Sequence, residues 1–322
     1  MKSLKPTVLA AAALALAPLL SLAQTFPEKA ITFVVPFAAG TATDQIARAL
    51  GNGITAETKQ PVVIDNKAGA SGFIASQQVA KAPADGYTVL ITTNTTHAAN
   101  EHLFKKLPYD PVKDYAPVAA LGKGGQIMVV NPSFPAKTVA EFIALAKREP
   151  GKYSFGSGSS SSRMAGELLQ QMAGIQLLHV PYKSNTLAVT DLLGGQIHMM
   201  ITDTATGLPQ VKAGKLRALG VSGAKRSPLA PDVPTIAEAG VKGYEMGYWF
   251  AAYAPAKTPP AVVKRLNELL VKAAKSEAAK AAFYEPTGTE VFTSSPEELA
   301  KFQAAESQKW GRIVKAAGIE AE

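Results

Sequence analysis

Two stretches of the sequence combine small residues, hydroxyl groups and a helix start, and together these features can bind an anion. The first is FVVPFAAGTATDQIARAL, residues 33–50, and the second is KYSFGSGSSSSRMAGELL, residues 152–169. In each, an apolar strand pattern leads through a loop into a helix pattern. The first N–H groups of a helix have no intrahelical partner, and the helix dipole makes this end positive. Each stretch therefore predicts an anion-binding loop at a helix N-terminus.

If the two loops face each other across a cleft, they suit a molecule with a carboxylate at each end. Small residues let a ligand approach the backbone closely, and serine and threonine hydroxyls add rotatable donors. A flexible Gly/Ser linker is the alternative for the serine run, but a domain linker is not expected between a strand and a helix of one unit. The candidate ligand-binding residues are Phe37, Ala39, Gly40, Thr41, Ala42, Thr43, Asp44, Thr93, Asn94, His97, Ser157, Ser159, Ser160, Ser161, Arg163, Tyr182 and Asp203.

The ionisable candidates each have a structural alternative. Arg163 starts a helix, where its charge opposes the dipole. A bidentate bond to a ligand carboxylate would offset that cost, and a solvated, outward arginine is the alternative. Asp44 also fits a plain partner of the helix dipole or an N-cap, and Asp203 also fits a cap of the next turn. His97 follows a strand end and is predicted to line the cleft, whereas Tyr182, like Phe37, fits either an apolar ligand wall or the core.

Motifs for catalysis, metal binding and nucleic-acid binding are missing from the sequence. GSGSS lacks the last glycine of a nucleophile elbow, and no HExxH, P-loop or complete GxGxxG occurs. The chain has no cysteine, and its four histidines are far apart. The net charge is +8, but the basic residues are scattered without interleaved aromatics. We therefore predict no enzyme activity, no metal or other cofactor, and no nucleic-acid partner.

The elements that would position the two loops form an α/β pattern. Residues 31–93 read as βαβαβ, the signature of a parallel, doubly wound sheet. The alternation restarts near residue 125 and continues to about 245. Between the two units, APVAALGKGGQIMVVNP reads as strands broken by a glycine turn. Two long amphipathic helices, residues 259–284 and 295–318, close the chain. The pattern predicts two α/β lobes facing a cleft.

The first 23 residues predict a secretory signal peptide. Lys2 and Lys5 precede an apolar run of about 15 residues, and SLA before Gln24 fits cleavage after Ala23. A membrane anchor is the alternative, but the run contains Pro18 and is shorter than the roughly 20 residues a spanning helix needs. The sequence thus predicts export to the periplasm.

The chain resembles the periplasmic solute receptors of the tripartite tricarboxylate transporters, the Bug family. The segments that carry the resemblance run in family order over nearly all of residues 26–319. The most specific are LPYDPVKDYAPV and VPTIAEAG; others are QPVVIDNKAGASG, ADGYTVL, HVPYK and KAGKLRALGV. In the family, the first loop is typically richer in proline and glycine, and a small polar residue or histidine is common where this chain has Arg163. We expect these departures to set the choice of ligand.

The resemblance implies a two-lobed periplasmic binding protein of the Venus-flytrap, type II-like kind, each lobe a mostly parallel sheet flanked by helices. Lobe 1 would combine residues 26–124 with 249–322, and lobe 2 would be residues 125–248. By position, the ligand would be held by Phe37 to Asp44 and by Ser157 to Arg163. The chain would be a monomer that captures a small carboxylate, whether a di- or tricarboxylate or an aromatic one, and delivers it to a membrane permease.

Two alternatives from other classes remain open from the sequence. The first is a sensor that presents its ligand to a membrane signalling protein instead of a permease. The second is a secreted α/β hydrolase, which would need an activated nucleophile or a tuned acid–base pair. No such constellation is indicated by motif.

Overall fold

The computed structural model describes residues 26–316 and 318–321. The predicted signal peptide and its cleavage site after Ala23 lie outside the described residues. Within them, nine strands are Ile31–Val35 (β1), Val62–Asn66 (β2), Thr88–Thr93 (β3), Tyr115–Val130 (β4), Ser154–Ser157 (β5), Leu178–Pro181 (β6), Met199–Asp203 (β7), Arg217–Val221 (β8) and Gly247–Pro255 (β9).

The helices of the described residues lie between and after these strands. They are Ala42–Thr58 (α1), Phe73–Ala80 (α2), Asn100–Leu103 (α3), Val139–Arg148 (α4), Ser160–Ala173 (α5), Asn185–Leu193 (α6), Thr204–Lys212 (α7), Pro260–Lys275 (α8), Glu277–Ala279 (α9), Glu285–Thr287 (α10) and Pro296–Ala316 (α11). A 3₁₀ turn covers Ala70–Gly72, and π-helical turns cover Thr95–Ala99 and Lys280–Tyr284.

The strands form two sheet regions that share one long strand. In the first, the order is β2-β1-β3-β9-β4, and β1 runs parallel to both β2 and β3. In the second, the order is β4-β7-β5-β6, with β8 also on β4, and β5 runs parallel to both β6 and β7. The antiparallel pairs all involve β4 or β9. The predicted parallel βαβαβ pattern of the first unit is confirmed.

β4 corrects the sequence interpretation of the crossing between the units. The glycines of GKGG do not form a turn, because β4 continues through them in antiparallel register with β9. Gly124 lies opposite Tyr248, and a Cβ at Gly124 would lie 2.5 Å from the Tyr248 hydroxyl oxygen. The glycine therefore permits close approach of neighbouring groups rather than a reversal of the chain.

Helices cover the sheet and bury its apolar side chains. α8 packs against α1 and β4, with Leu266, Leu269 and Leu270 fully buried. Each such side chain contributes about 2 kcal/mol of transfer free energy. The predicted helix over residues 259–284 is interrupted, because Ser276 takes an extended backbone and caps the short α9. No helix within residues 26–316 and 318–321 is long and apolar enough to cross a membrane.

Candidate functional site

The loop between β1 and α1 is held by an aspartate of the helix itself. The Asp44 carboxylate accepts a hydrogen bond from the Gly40 N–H at 2.9 Å and pairs with Arg48 at 2.9 Å. Gly40 has φ +80°, a backbone conformation that favours glycine. Thr41, at the N-cap position, donates to the Ala38 carbonyl at 2.7 Å and makes no side-chain cap. The first-turn N–H groups of α1 therefore have no capping hydroxyl.

Asp44 stabilises this loop in its ionised form. Burial by itself would raise the pKa of Asp44, but hydrogen bonds from Arg48 and the Gly40 N–H, together with Asn66 and the charge of Arg48, hold that pKa below its ordinary value. Asn66 also donates to the Phe37 carbonyl at 3.0 Å. Asp44 is not the N-cap of α1, which is Thr41, but it lies in the first turn of the helix, so the dipole-partner alternative describes its position.

The loop between β5 and α5 is fixed by its serines. Ser159 is the N-cap of α5, and its hydroxyl accepts from the Ser162 N–H at 3.2 Å. Ser160 donates to Asn100 Oδ1 at 2.7 Å, a buried hydrogen bond that joins the two predicted lobes. The Ser162 hydroxyl donates to the Ile201 carbonyl at 2.5 Å. The four consecutive serines therefore have different roles, and the linker interpretation of this run is wrong.

Gly158 is required because another backbone segment crosses it. A Cβ at Gly158 would lie 1.8 Å from the carbonyl carbon of Ser184. The Gly158 N–H donates to Asn185 Oδ1 at 2.9 Å. The side-chain amide of Asn185 in turn donates to Asp203 Oδ2 at 3.0 Å. This close packing brings the α5, α6 and α7 starts together.

The two loops meet at one small cavity, which we call the inner cavity. Both predicted lobes contribute to it, and the N-termini of α1 and α5 both border it. Its lining residues are Phe37, Thr41, Ala42, Thr43, Thr93, Gln126, Gly158, Ser159, Ser161, Asn185, Asp203, Tyr248 and Phe250. Asp203 is the one carboxylate in this lining, and no lysine, arginine or histidine of the described residues belongs to it.

A second, larger cavity of about 360 Å³ adjoins the first and shares Phe37, Gly158 and Ser159 with it. We call it the outer cavity. Its basic side chains are Arg163, His179 and Lys183, and its lining holds no carboxylate among the residues that the structure describes. The remaining lining residues are Ser71, Gly72, Phe104, Ser157, Ser160, Pro181 and Tyr182.

Arg163 lies at the outer cavity in an ion pair. Its Nε is 3.6 Å from Glu167 Oε1, one helical turn further along α5, and both side chains are mostly buried. Burial raises the pKa of Glu167, while the charge of Arg163 acts in the opposite direction. The outward, solvated alternative for Arg163 is therefore wrong. His179, also at this cavity, makes a 2.7 Å hydrogen bond with Ser157.

This arrangement can hold an anion without a basic side chain in the inner cavity. The first N–H groups of two helices border it and lack intrahelical partners, and the positive ends of both helix dipoles favour negative charge there. The hydroxyls of Thr43, Thr93 and Ser161 supply further donors. The basic outer cavity favours a second negative group at the other end of a ligand.

Most predicted site residues line the two cavities, and five do not. Phe37, Thr41, Ala42, Thr43, Thr93, Ser159, Ser161 and Asp203 line the inner cavity, and Ser157, Ser160, Arg163 and Tyr182 line the outer one. Ala39 and Gly40 are exposed on the first loop, and Asp44, Asn94 and His97 are buried outside both linings. Direct binding by the residues that line the cavities stays a prediction.

His97 corrects the sequence prediction most clearly, because it belongs to the core instead of the cleft. It is fully buried, stacks on Tyr253 with ring centroids 3.8 Å apart, and also meets Tyr109 and Tyr115. Burial lowers the pKa of His97 to about 3, so the ring is neutral at pH 7. The π-helical turn after β3 directs this side chain inward.

Five residues of the inner cavity were missed from the sequence: Gln126, Gly158, Asn185, Tyr248 and Phe250. A glutamine immediately before the apolar run IMVV was a usable signal, because a polar side chain inside a buried strand needs a partner. Tyr248 and Phe250 carried no such signal, since aromatic residues in a strand usually serve the core.

A polar cavity lined from both predicted lobes, with an anion-favouring helix start from each, is the arrangement of a solute-binding protein. Solved structures agree on this class. The chain has a TM-score of 0.89 and 36% identity to the adipate-bound Rpa4515 protein of R. palustris, covering 92% of this chain and 100% of that one. It has a TM-score of 0.88 and 32% identity to the periplasmic binding protein BugD, with the same coverages. The malate-bound MatC protein from Rhodopseudomonas palustris has a TM-score of 0.85 and 30% identity, covering 90% and 100%.

Sequence comparisons give the family. The model of the tripartite tricarboxylate transporter family receptor, TctC, matches residues 46–319. A protein encoded in the tcbD–tcbE intergenic region of Pseudomonas sp. strain P51 is 37% identical over 95% of this chain and 93% of its own length. Protein BugT of Bordetella pertussis is 34% identical over 92% and 91%. The chain belongs to the tripartite tricarboxylate transporter receptor family.

This membership confirms the predicted family, the two-lobed α/β fold class and the absence of an enzymatic role, because the family consists of solute receptors. The hydrolase alternative is thereby excluded. In the part of the chain that the structure describes, no group of three or more histidine, aspartate or glutamate side chains could hold a metal ion.

Proposed function

We propose that this receptor captures a small carboxylate in the periplasm, with one carboxylate in the inner cavity and a second anionic end in the outer cavity. The observation that carries the proposal is the convergence of two helix N-termini, one from each predicted lobe, on a cavity without basic side chains. A carboxylate there would receive N–H and hydroxyl donors from both lobes at once. Its binding would therefore favour the closed arrangement of the lobes.

The family relatives support a carboxylate as the ligand class. One similar structure is described with adipate and another with malate, and both are dicarboxylates. The inner and outer cavities of this chain adjoin at Phe37, Gly158 and Ser159, and two adjoining cavities suit a ligand with two separated ends. We propose an aliphatic dicarboxylate in preference to an aromatic acid.

Isothermal titration calorimetry on the mature chain, residues 24–322, tests the proposal. The ligands are adipate, malate, succinate and glutarate, with hexanoate, butyrate and pentanoate as monocarboxylate partners of matched length. We expect at least one dicarboxylate to bind more tightly than its monocarboxylate partner. Failure of every carboxylate to bind would refute the proposed ligand class.

A variant of Arg163 tests the second anion position directly, because Arg163 lies at the outer cavity and not at the inner one. Replacing it (Arg163→Ala) should weaken a dicarboxylate by roughly tenfold through loss of a charge-assisted contact, and a monocarboxylate by less. Arg148→Ala is the matched control, since Arg148 is exposed at the end of α4. Equal losses for both ligands would count against a second anion position at Arg163.

Export and delivery are the remaining parts of the proposal. The N-terminal pattern of residues 1–23 favours a cleavable signal peptide, and membership of the receptor family of a tripartite transporter favours a two-component permease as the partner. Periplasmic fractionation, with N-terminal sequencing of the mature chain, tests the first. Uptake of the labelled ligand by cells with and without this gene tests the second: unchanged uptake would leave the sensor alternative in place.

A further inference from the structure

Ser71 is the one polar side chain that the predicted lobe 1 contributes to the lining of the outer cavity, among the residues that the structure describes. The other residues of that lobe in the lining are Phe37, Gly72 and Phe104. The basic side chains of the cavity all belong to the predicted lobe 2. A ligand group that is to form hydrogen bonds with side chains of both lobes in this cavity must therefore do so through Ser71.

The backbone of Ser71 has a conformation that a residue with a Cβ rarely adopts. Its φ is +51° and its ψ is 30°, in the left-handed region, where a Cβ has a steric cost that glycine avoids. The neighbouring residues with positive φ, Gly69 and Gly72, are glycines. Across the rest of the described chain, the other non-glycine residue with positive φ is Lys59, the C-cap of α1. Residues strained in this way cluster at ligand contacts and persist where the surrounding structure fixes them.

The surrounding structure fixes the Ser71 backbone from two sides. The side-chain amide of Asn100, a fully buried residue, donates to the Ser71 carbonyl at 2.9 Å. The next residue, Gly72, packs so closely that a Cβ there would lie 2.7 Å from Thr96 Cγ2. The Ser71 hydroxyl, in contrast, makes no hydrogen bond within the part of the chain that the structure describes. It is therefore available as a donor to a group bound in the outer cavity.

We propose that Ser71 is a ligand-contact residue that selects dianionic ligands, because its hydroxyl donates to the second anionic end together with Arg163. A group held by both side chains connects the two predicted lobes, so this contact favours their closed arrangement. Serine is sterically unfavourable at this position, and a charge-assisted hydrogen bond to the ligand is the contribution that glycine could not make. The inference rests on the proposed function, since it names the lobe 1 residue that receives the second end of the ligand.

Calorimetry on the mature chain tests the inference, with the tightest-binding dicarboxylate and its monocarboxylate partner as ligands. Ser71→Ala removes the hydroxyl and keeps the Cβ. The dicarboxylate should then bind about tenfold more weakly, and the monocarboxylate within about twofold of wild type. Ser71→Gly should weaken the dicarboxylate by the same factor, but without ligand it should melt about 1–3 °C above Ser71→Ala, because glycine relieves the backbone strain.

Lys59 provides the matched control for the backbone effect. It lies at the opposite end of α1 from the inner cavity and lines neither cavity. Lys59→Gly should therefore melt above Lys59→Ala by a similar amount, and both variants should retain the wild-type affinities for both ligands. This pair separates relief of backbone strain, which changes the melting temperature, from loss of the ligand contact, which changes the affinity.

A double-mutant cycle tests whether Ser71 and Arg163 contact the same ligand group. If they do, either substitution alone already loosens that group. The loss of dicarboxylate affinity in the Ser71→Ala/Arg163→Ala double variant should then be smaller than the product of the two single losses. Losses that multiply would show that the two residues act independently and would overturn the inference.

The remaining outcomes separate this inference from the proposed function. Wild-type affinity for the dicarboxylate in Ser71→Ala, or equal losses for the two ligands, overturns the inference and leaves a carboxylate receptor. A Ser71→Gly protein that melts below Ser71→Ala overturns the argument from strain. If the wild-type chain binds no dicarboxylate more tightly than its monocarboxylate partner, the second anion position and this inference fail together. If no carboxylate binds at all, the proposed function itself fails.

Discussion

The hydrogen bond from Ser160 to Asn100 should stabilise the closed form, in which the two predicted lobes are in contact, relative to an open form. The Ser160 hydroxyl, on α5, donates to Asn100 Oδ1, on α3, at 2.7 Å. Both residues are buried, at 4% and 0% exposure. Asn100 is otherwise tied to its own lobe, because its amide donates to the Ser71 carbonyl and to Tyr109. Ser160→Ala would therefore leave Asn100 Oδ1 buried without a partner in the closed form and free to be hydrated in an open form.

The magnitude follows from that difference between the two forms. A buried acceptor that loses its partner costs about 1–3 kcal/mol. If this cost falls on the closed form alone and the ligand binds by closing the lobes, the dissociation constant should rise about 5- to 150-fold. The thermal stability of the ligand-free protein should change little, because an open form remains folded.

Ser162→Ala is the matched control within the same serine run. Its hydroxyl donates to the Ile201 carbonyl inside lobe 2, so its loss should lower the free energy of unfolding by about 1 kcal/mol without changing the equilibrium between the lobes. Calorimetry with the tightest-binding dicarboxylate measures affinity, and small-angle scattering measures the radius of gyration. A Ser160→Ala protein with wild-type affinity, or one that loses thermal stability as Ser162→Ala does, would refute the prediction that this hydrogen bond stabilises the closed form.

Three further predictions concern the framework of the site. Gly158→Ala should lower the free energy of unfolding by at least about 2 kcal/mol, because the new Cβ would lie 1.8 Å from the Ser184 backbone. A melting temperature within about 2 °C of wild type corresponds to a loss on the order of 1 kcal/mol or less and would contradict this prediction. In the wild-type protein, the free energy of unfolding should fall as the pH is lowered from 6.5 to about 3, because the unfolded chain binds a proton on His97 that the buried ring does not. His97→Phe removes this contribution, so the slope should decrease by up to about 1.4 kcal/mol per pH unit. Chemical unfolding at several pH values should show no such change if His97 is accessible to protons. Asp44→Asn should cost about 2 kcal/mol at pH 7, and the difference from wild type should shrink as the pH falls below 3.8, because the lowered pKa of Asp44 stabilises the fold only while it is ionised. A difference that stays constant down to pH 2 would show that the Gly40 and Arg48 contacts are not responsible.

Local patterns were sufficient for most of the elements and for a candidate site. Apolar, β-branched runs in the strands and the 3.6-residue period in the helices predicted the βαβαβ unit. Strand–loop–helix stretches marked residues 37–44 and 157–163 as anion-binding candidates. The Ser159 cap depends on neighbouring residues in the chain, so sequence reasoning could reach it.

Long-range packing decided which side chains reach the cavity. His97 follows the apolar strand β3 and Gln126 lies within the apolar strand β4, and no local pattern shows that the first belongs to the core and the second to the cavity. The tyrosines that enclose His97 come from the segment between α3 and β4, from β4 and from β9. Gln126 meets Asp203 only through the β4–β7 register. GKGG was misread as a turn for the same reason, because its extended form depends on pairing with β9, more than a hundred residues away.

The sequence by itself determined an α/β chain of the receptor family with two loops suited to anions, because helix dipoles, small residues and periodicity are local properties. The tertiary structure alone decided that the two loops border one cavity, that Arg163 is paired with Glu167, and that Gln126 and Asp203 line the same cavity. Burial and strand register are set by residues distant in the chain. They assign a side chain either to the core or to a ligand, and no local pattern contains that information.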